Sequence, residues 1–277
     1  MRIAHGVKFA DLAVLDDDDI DLAAAALLIA SNEYPGLNVQ HYLDTLDQIA
    51  DRARQAASGL ASPSDILLAI NSVLFLEHGY HGNKENYYDP RNSYLNEVID
   101  RHTGIPITLS IVYMAVSGRV GIRLSGVGLP GHFVVKHSGS SGDIYIDAFN
   151  GGKLIDAGGC ASLIEKISRG RLELRAEHLS AVGNKHILTR VLANLLGIYS
   201  EGNDFARAIR TVDLILAIHP NQADYIRNRG FLLAEAGRDR EAIESLEKYL
   251  RLSPDTPDAS EVRTRIKDVK ARLSMLN

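Results

Sequence analysis

A histidine and an aspartate stand at the two ends of one glycine-rich stretch, "PGHFVVKHSGSSGDIYIDAFNGG", running from Pro130 to Gly152. An imidazole oriented by a carboxylate is the general-base half of a nucleophilic triad. His132 and Asp147 are therefore the first residues to weigh, and the missing partner is a thiol or a hydroxyl. The chain holds one cysteine, Cys160, in "AGGCASLI". Flanked by Ala and Leu, it reads as a small buried hydrophobe. Thr108 and Ser110 lie in the apolar segment "IPITLSIVY". Hydroxyls on an apolar helix usually bond the carbonyl four residues back, so these two read first as structural and second as nucleophiles. His78 and His81, three apart in "HGYHGNKENYYDPRN", have a spacing that can ligate zinc. No third ligand follows at a motif spacing, so no metal is assigned and they read as solvated loop histidines. Glu85, Tyr87 and Tyr88 of the same loop are candidates to line a cleft above His132.

The elements that must position this pair come next. Alternation and glycine-rich turns predict strands at 123–128, 133–137 and 144–148. If Ser138–Ser141 form the hairpin loop, His137 pairs with Gly142 and His132 sits opposite Asp147, within reach of a hydrogen bond. A one-residue slip would part them to opposite faces. Phe133, Val135, Ile144 and Ile146 then share the other, apolar face. Upstream, a helix over 93–101 precedes an almost wholly apolar one over 107–117, with Pro106 in its first turn, where the missing N–H costs nothing. Three helical stretches open the chain. The first follows the acidic run Asp16–Asp19, read as carboxylates at a helix N-terminus. The second carries Tyr42, Leu46 and Ile49 at helical spacing, and the third has Ser64 as N-cap. A short helix is expected at 160–168.

From His186 onward the pattern is helical and repeats. Ala208 and Ala242 match at an offset of 34, as do Pro220 and Pro254. Small residues at a helix crossing and a proline after the second helix, at that period, are the tetratricopeptide pattern. Leu196 and Gly230 occupy equivalent slots, and 258–273 reads as a capping helix.

Taken in order, "YYDPRNSYLNEVIDRHTGIPITLSIVY", "GVGLPGHFVVKH" and "YIDAFNGGKLI" resemble the transglutaminase-like, papain-related core. More closely they resemble the bacterial SirB-type family, in which that core precedes tetratricopeptide repeats. The resemblance implies an α+β fold with N-terminal helices over 1–180 and an all-α repeat domain over 181–277. In active members of the superfamily a cysteine opens the buried helix. Here Pro106 or Ile107 holds that place, while His132 and Asp147 match the other two positions. The resemblance also marks Asn92, Ser93 and Asn96, which with Tyr88, Pro106 and Ser110 are the candidates for a binding cleft.

A composition of 45% hydrophobic and 23% charged residues with net charge −5 is ordinary for a globular chain and argues against nucleic acid or an anionic membrane as partner. No signal-peptide core or apolar run of membrane-spanning length is present, so a cytoplasmic protein is expected. No cofactor is implied. The expected function is non-catalytic: protein or peptide binding through the repeat surface, on a degenerate transglutaminase-like domain. The alternative is a residual amide hydrolase or acyl transferase that uses His132–Asp147 with a nucleophile other than cysteine.

Overall fold

The computed structural model describes residues 9–140 and 142–275. The described residues form two compact units: Asp16–Val191, and Phe9–Leu15 joined to Leu192–Met275.

The first unit opens with α1 (Leu22–Ser31), α2 (Val39–Ala56) and α3 (Pro63–Asn71). Local chemistry sets their starts. Asp21 accepts from the Ala24 amide at 3.0 Å, and Asn38 from that of His41 at 3.2 Å, each satisfying an amide with no helical partner. Ser62, not Ser64, holds the N-cap position of α3, because Pro63 takes the first helical place. α3 runs on into a π-helical segment, Ser72–Glu77. β1 (His81–Gly82) pairs in parallel with β2 (Thr103–Gly104), and α4 (Leu95–Arg101) lies between them in sequence. α5 (Pro106–Val120) follows at once and is buried on nearly every side. It ends at Gly121, whose φ of 109° suits glycine alone.

β3 (Ser125–Val127), β4 (Val134–Gly139), β5 (Gly142–Asp147), β6 (Lys153–Ile155) and, after α6 (Ala157–Ser168), β7 (Ala181–Val182) form one antiparallel sheet in the order β6-β5-β4-β3-β7. Val134 and Tyr145 join Cys160 and Ile164 of α6 in one apolar cluster, while α5 also packs on β4. The hairpin register differs from the expected one. Gly139 pairs with Gly142 and His137 with Ile144, a shift of two residues. The strands therefore pair up to Gly139 and Gly142; Ser141, in the expected loop, lies outside the described residues. The observed register sets Ser138 opposite Asp143, a pairing the expected register would not make, and Asp143 also pairs with Lys136 at 3.3 Å.

α7 (Asn184–Glu201), α8 (Phe205–Ile218), α9 (Ala223–Glu235), α10 (Asp239–Leu252) and α11 (Ala259–Met275) complete the chain, the division between units falling within α7. The acidic run serves a distant helix. Asp17 accepts from the amides of Asn184 and Lys185, the latter at 2.9 Å, and so caps the start of α7. In the second unit Ala208 and Ala242 are fully buried. A methyl on Gly230 would come within 2.6 Å of the Leu246 side chain, so glycine there lets α9 and α10 meet. Ile226, Leu246, Tyr249, Val262 and Ile266 bind α9, α10 and α11 into one core.

Candidate functional site

The site is built from the ends of elements. Leu129–His132 make a turn, with the His132 amide bonded to the Leu129 carbonyl at 3.1 Å. β4 begins only at Val134, so His132 precedes the strand. Asp147 closes β5. Although the register is shifted, an even slip leaves both side chains on one side of the sheet. His132 Nε2 meets Asp147 Oδ1 at 2.9 Å, and both side chains are 4% exposed.

Asp147 is held from its other side too. Its Oδ2 accepts from Asn150 Nδ2 at 2.8 Å, and its Oδ1 from the Asn150 amide at 3.3 Å, within the 3-10 turn Ala148–Asn150. Burial alone would favour the neutral acid, yet the bonds from His132 and Asn150 hold the carboxyl below its ordinary value. The pair is thus an ionised carboxylate gripping an imidazole from a fixed direction.

Aromatic rings close over it. Phe149 stands edge-on to the His132 ring, centroids 5.9 Å apart. Tyr87 meets Phe149 at 6.1 Å, and Tyr88 meets Tyr87 at 5.3 Å. Gly82 allows this: a methyl there would lie 2.5 Å from the Phe149 ring. Because Gly82 pairs with Gly104, and α5 packs on the 3-10 turn, the start of α5 is drawn to the same neighbourhood. Pro106, buried, is its first residue.

The other candidates separate. Asn92, fully buried, organises the loop below the rings. It donates to the Asn86 carbonyl at 2.7 Å and to that of Tyr87 at 3.2 Å, and accepts from Asn83 Nδ2 at 3.1 Å. Its own carbonyl takes the Thr108 hydroxyl at 2.7 Å. Thr108 is therefore committed to tying α5 to this loop. Ser93 and Ser110 are buried, and neither Oγ has a hydrogen-bond partner among the described residues. Asn96 faces the Tyr42 hydroxyl on α2, and Tyr42 donates to Asp100 at 2.8 Å. Tyr88 is 74% exposed. Cys160 is fully buried in the α6 cluster; burial, with Asp147 and Asp156 nearby, pushes its thiol up to about 11. A thiol so protonated is a poor nucleophile at neutral pH. His81 spends its ring nitrogens on the Gly79 carbonyl and the Thr103 hydroxyl. No group of three or more His, Cys, Asp or Glu is placed to hold a metal among the described residues, and no described helix is long and apolar enough to cross a membrane.

Sequence reasoning missed Arg190. From α7 its Nη2 donates to the Leu129 carbonyl at 3.1 Å and to the His132 carbonyl at 2.7 Å, clasping the turn that carries the imidazole. Its guanidinium also lies 5.5 Å from the Phe133 ring centroid. The available signal was one cation inside an apolar helix, "ILTRVLANLL".

Sequence comparison agrees with the resemblance: residues 40–193 match the transglutaminase-like superfamily. The chain belongs to that superfamily. Residues 195–267 match the tetratricopeptide repeats. The chain is similar to a UPF0162 protein of Xylella fastidiosa, 36% identical over 93% of each chain. It is also similar to UPF0162 protein YchA of Escherichia coli, 23% identical over 83% of this chain and 86% of that one. F-box only protein 21 of Mus musculus is 34% identical over 59% of this chain and 27% of that protein. No solved structure matches. In this transglutaminase-like unit His132 and Asp147 are hydrogen-bonded, and proline begins α5.

Proposed function

We propose that this protein works by binding, as a SirB-type member acting in the cytoplasm. In this reading the transglutaminase-like module, residues 1–180, is catalytically degenerate, and the repeats, residues 181–277, take a protein or peptide partner. The observation that carries it is Pro106 at the first position of α5. A nucleophile there would lie at the positive end of the helix dipole beside the base, and proline has no group to offer. The surroundings support the same reading. Cys160 is sealed in the core, Thr108 is committed to the Asn92 carbonyl, and Ser110 is fully buried. Tetratricopeptide helices stack into extended surfaces suited to peptide or helix partners.

The test has two arms on the full chain. Acyl and amide substrates are assayed with wild type and His132→Ala; no His132-dependent turnover is expected, and any such turnover overturns the non-catalytic reading. Partners captured by wild type are compared with those captured by Asn228→Arg, at an exposed position of α9. Loss of a partner supports binding through the repeats; a full set retained by this variant and by its neighbour Asp224→Arg contradicts it.

A further inference from the structure

Arg190 brings more donors to the site than the turn consumes. One nitrogen, Nη2, makes both of its bonds, to the carbonyls of Leu129 and His132. Nε and Nη1 have no hydrogen-bond partner among the described residues. Space is kept for the group: a methyl at Gly128 would lie 2.8 Å from Nη1. The residue is half-buried, and burial disfavours its charge. Neither free nitrogen is sealed from solvent, so the edge is open, and the planar fork fits a carboxylate or phosphate.

Two further groups converge on the same rings. Lys84 Nζ lies 6.0 Å from the Phe149 centroid, and no ion pair to it is present among the described residues. Tyr87 is close enough to Arg190 for the guanidinium to favour its ionised form, although burial and Tyr88 together push the phenol up. Phe149 itself abuts His132. The central carboxylate, Asp147, makes its hydrogen bonds to His132 and Asn150 and none to Arg190 or Lys84 among the described residues. The exposed Glu85 follows Lys84 in the loop and makes no hydrogen bond or ion pair with Lys84 or Arg190 among the described residues.

We infer that the surface beside His132 binds an oxyanion carried on an apolar or aromatic group, the anion between the free edge of Arg190 and Lys84 and the apolar part on Phe149 and Tyr87. This site lies in the transglutaminase-like unit and is separate from partner binding by the repeats.

Histidine-labelled full-length protein, with the His132 ring signal identified by its loss in His132→Gln, is titrated with phenylacetate, phenyl phosphate and neutral phenylacetamide in NMR. A saturable shift is expected with at least one anion and not with the amide. Response to phenylacetate alone assigns a carboxylate ligand, and to phenyl phosphate alone a phosphate. Lys84→Ala should weaken the anion about fivefold, the size of one exposed charge contact, and Arg190→Gln more. Because Arg190→Gln removes the clasp on the turn, Lys84→Glu serves as the decisive variant, expected to abolish saturation. No saturable shift with either anion, an equal response to the amide, or anion binding unchanged in Lys84→Glu overturns the inference.

Discussion

The two units solve the problem of a unique fold in opposite ways. In the repeat unit, neighbours in sequence are neighbours in space. Ala208, Ala242 and Gly230 let helices touch, apolar residues fill the seams, and most charge pairs, such as Lys270–Glu247, are exposed, although Asp239 is buried against Arg272. In the transglutaminase-like unit, the decisive contacts are polar, buried or half-buried, and distant in sequence. Asn92 holds α5 through Thr108, Arg190 clasps the turn of His132, and Asp17 caps α7 from 167 residues away. A domain that only needs to present a surface can be built from local apolar repetition. A domain that orients an imidazole needs side-chain bonds from many directions.

Core truncation should show the largest effect. Leu246→Ala removes the contact facing Gly230 at the centre of the repeat core and is expected to cost about 3 kcal/mol in urea unfolding. A cost under about 1 kcal/mol would mean that the seam is not what holds α9 to α10. Asn92→Ala tests the opposite principle. It strands two loop carbonyls and the Asn83 amide, and a loss of about 2–3 kcal/mol is expected; a near-neutral result would show that the buried polar hub is dispensable.

Asp147→Asn comes next, at about 1–2 kcal/mol near neutral pH, from the loss of a charged hydrogen bond. Its signature is the pH profile. The folded carboxyl lies below its ordinary value, so its contribution is fully present above the unfolded pKa of about 4 and is lost as pH falls through the folded value. Wild type should therefore lose more stability than Asp147→Asn as pH drops below about 4; parallel acid profiles would deny the pairing. Lys270→Ala should be the smallest change, under about 1 kcal/mol, since both partners of its 2.8 Å ion pair are well exposed.

The same contrast explains what could be read beforehand. The period of 34 exposed the repeats because each helix packs on its neighbour, and the apolar run after Pro106 marked α5 as buried. The His132–Asp147 contact was legible although the pairing slipped by two, since an even slip preserves the face. Asn92 drew notice only by resemblance, and its structural task, four bonds gathering a loop and a helix, leaves no pattern in a polar segment. Arg190 and Asp17 act on turns and amides far along the chain, where neither helical nor strand periodicity carries information.

The central proposal is that α5 begins beside the hydrogen-bonded His132–Asp147 pair and lacks only the reactive atom. Restoring that atom tests it directly. In a Cys160→Ala background, Pro106→Cys, with Ile107→Cys as the neighbouring placement, is titrated with iodoacetamide across pH. At one of these positions the thiol should react with an apparent pKa well below the ordinary value of about 8.5, and His132→Ala should return it towards that value. Thiols at both positions that titrate as free cysteine and ignore the loss of His132 would contradict the account.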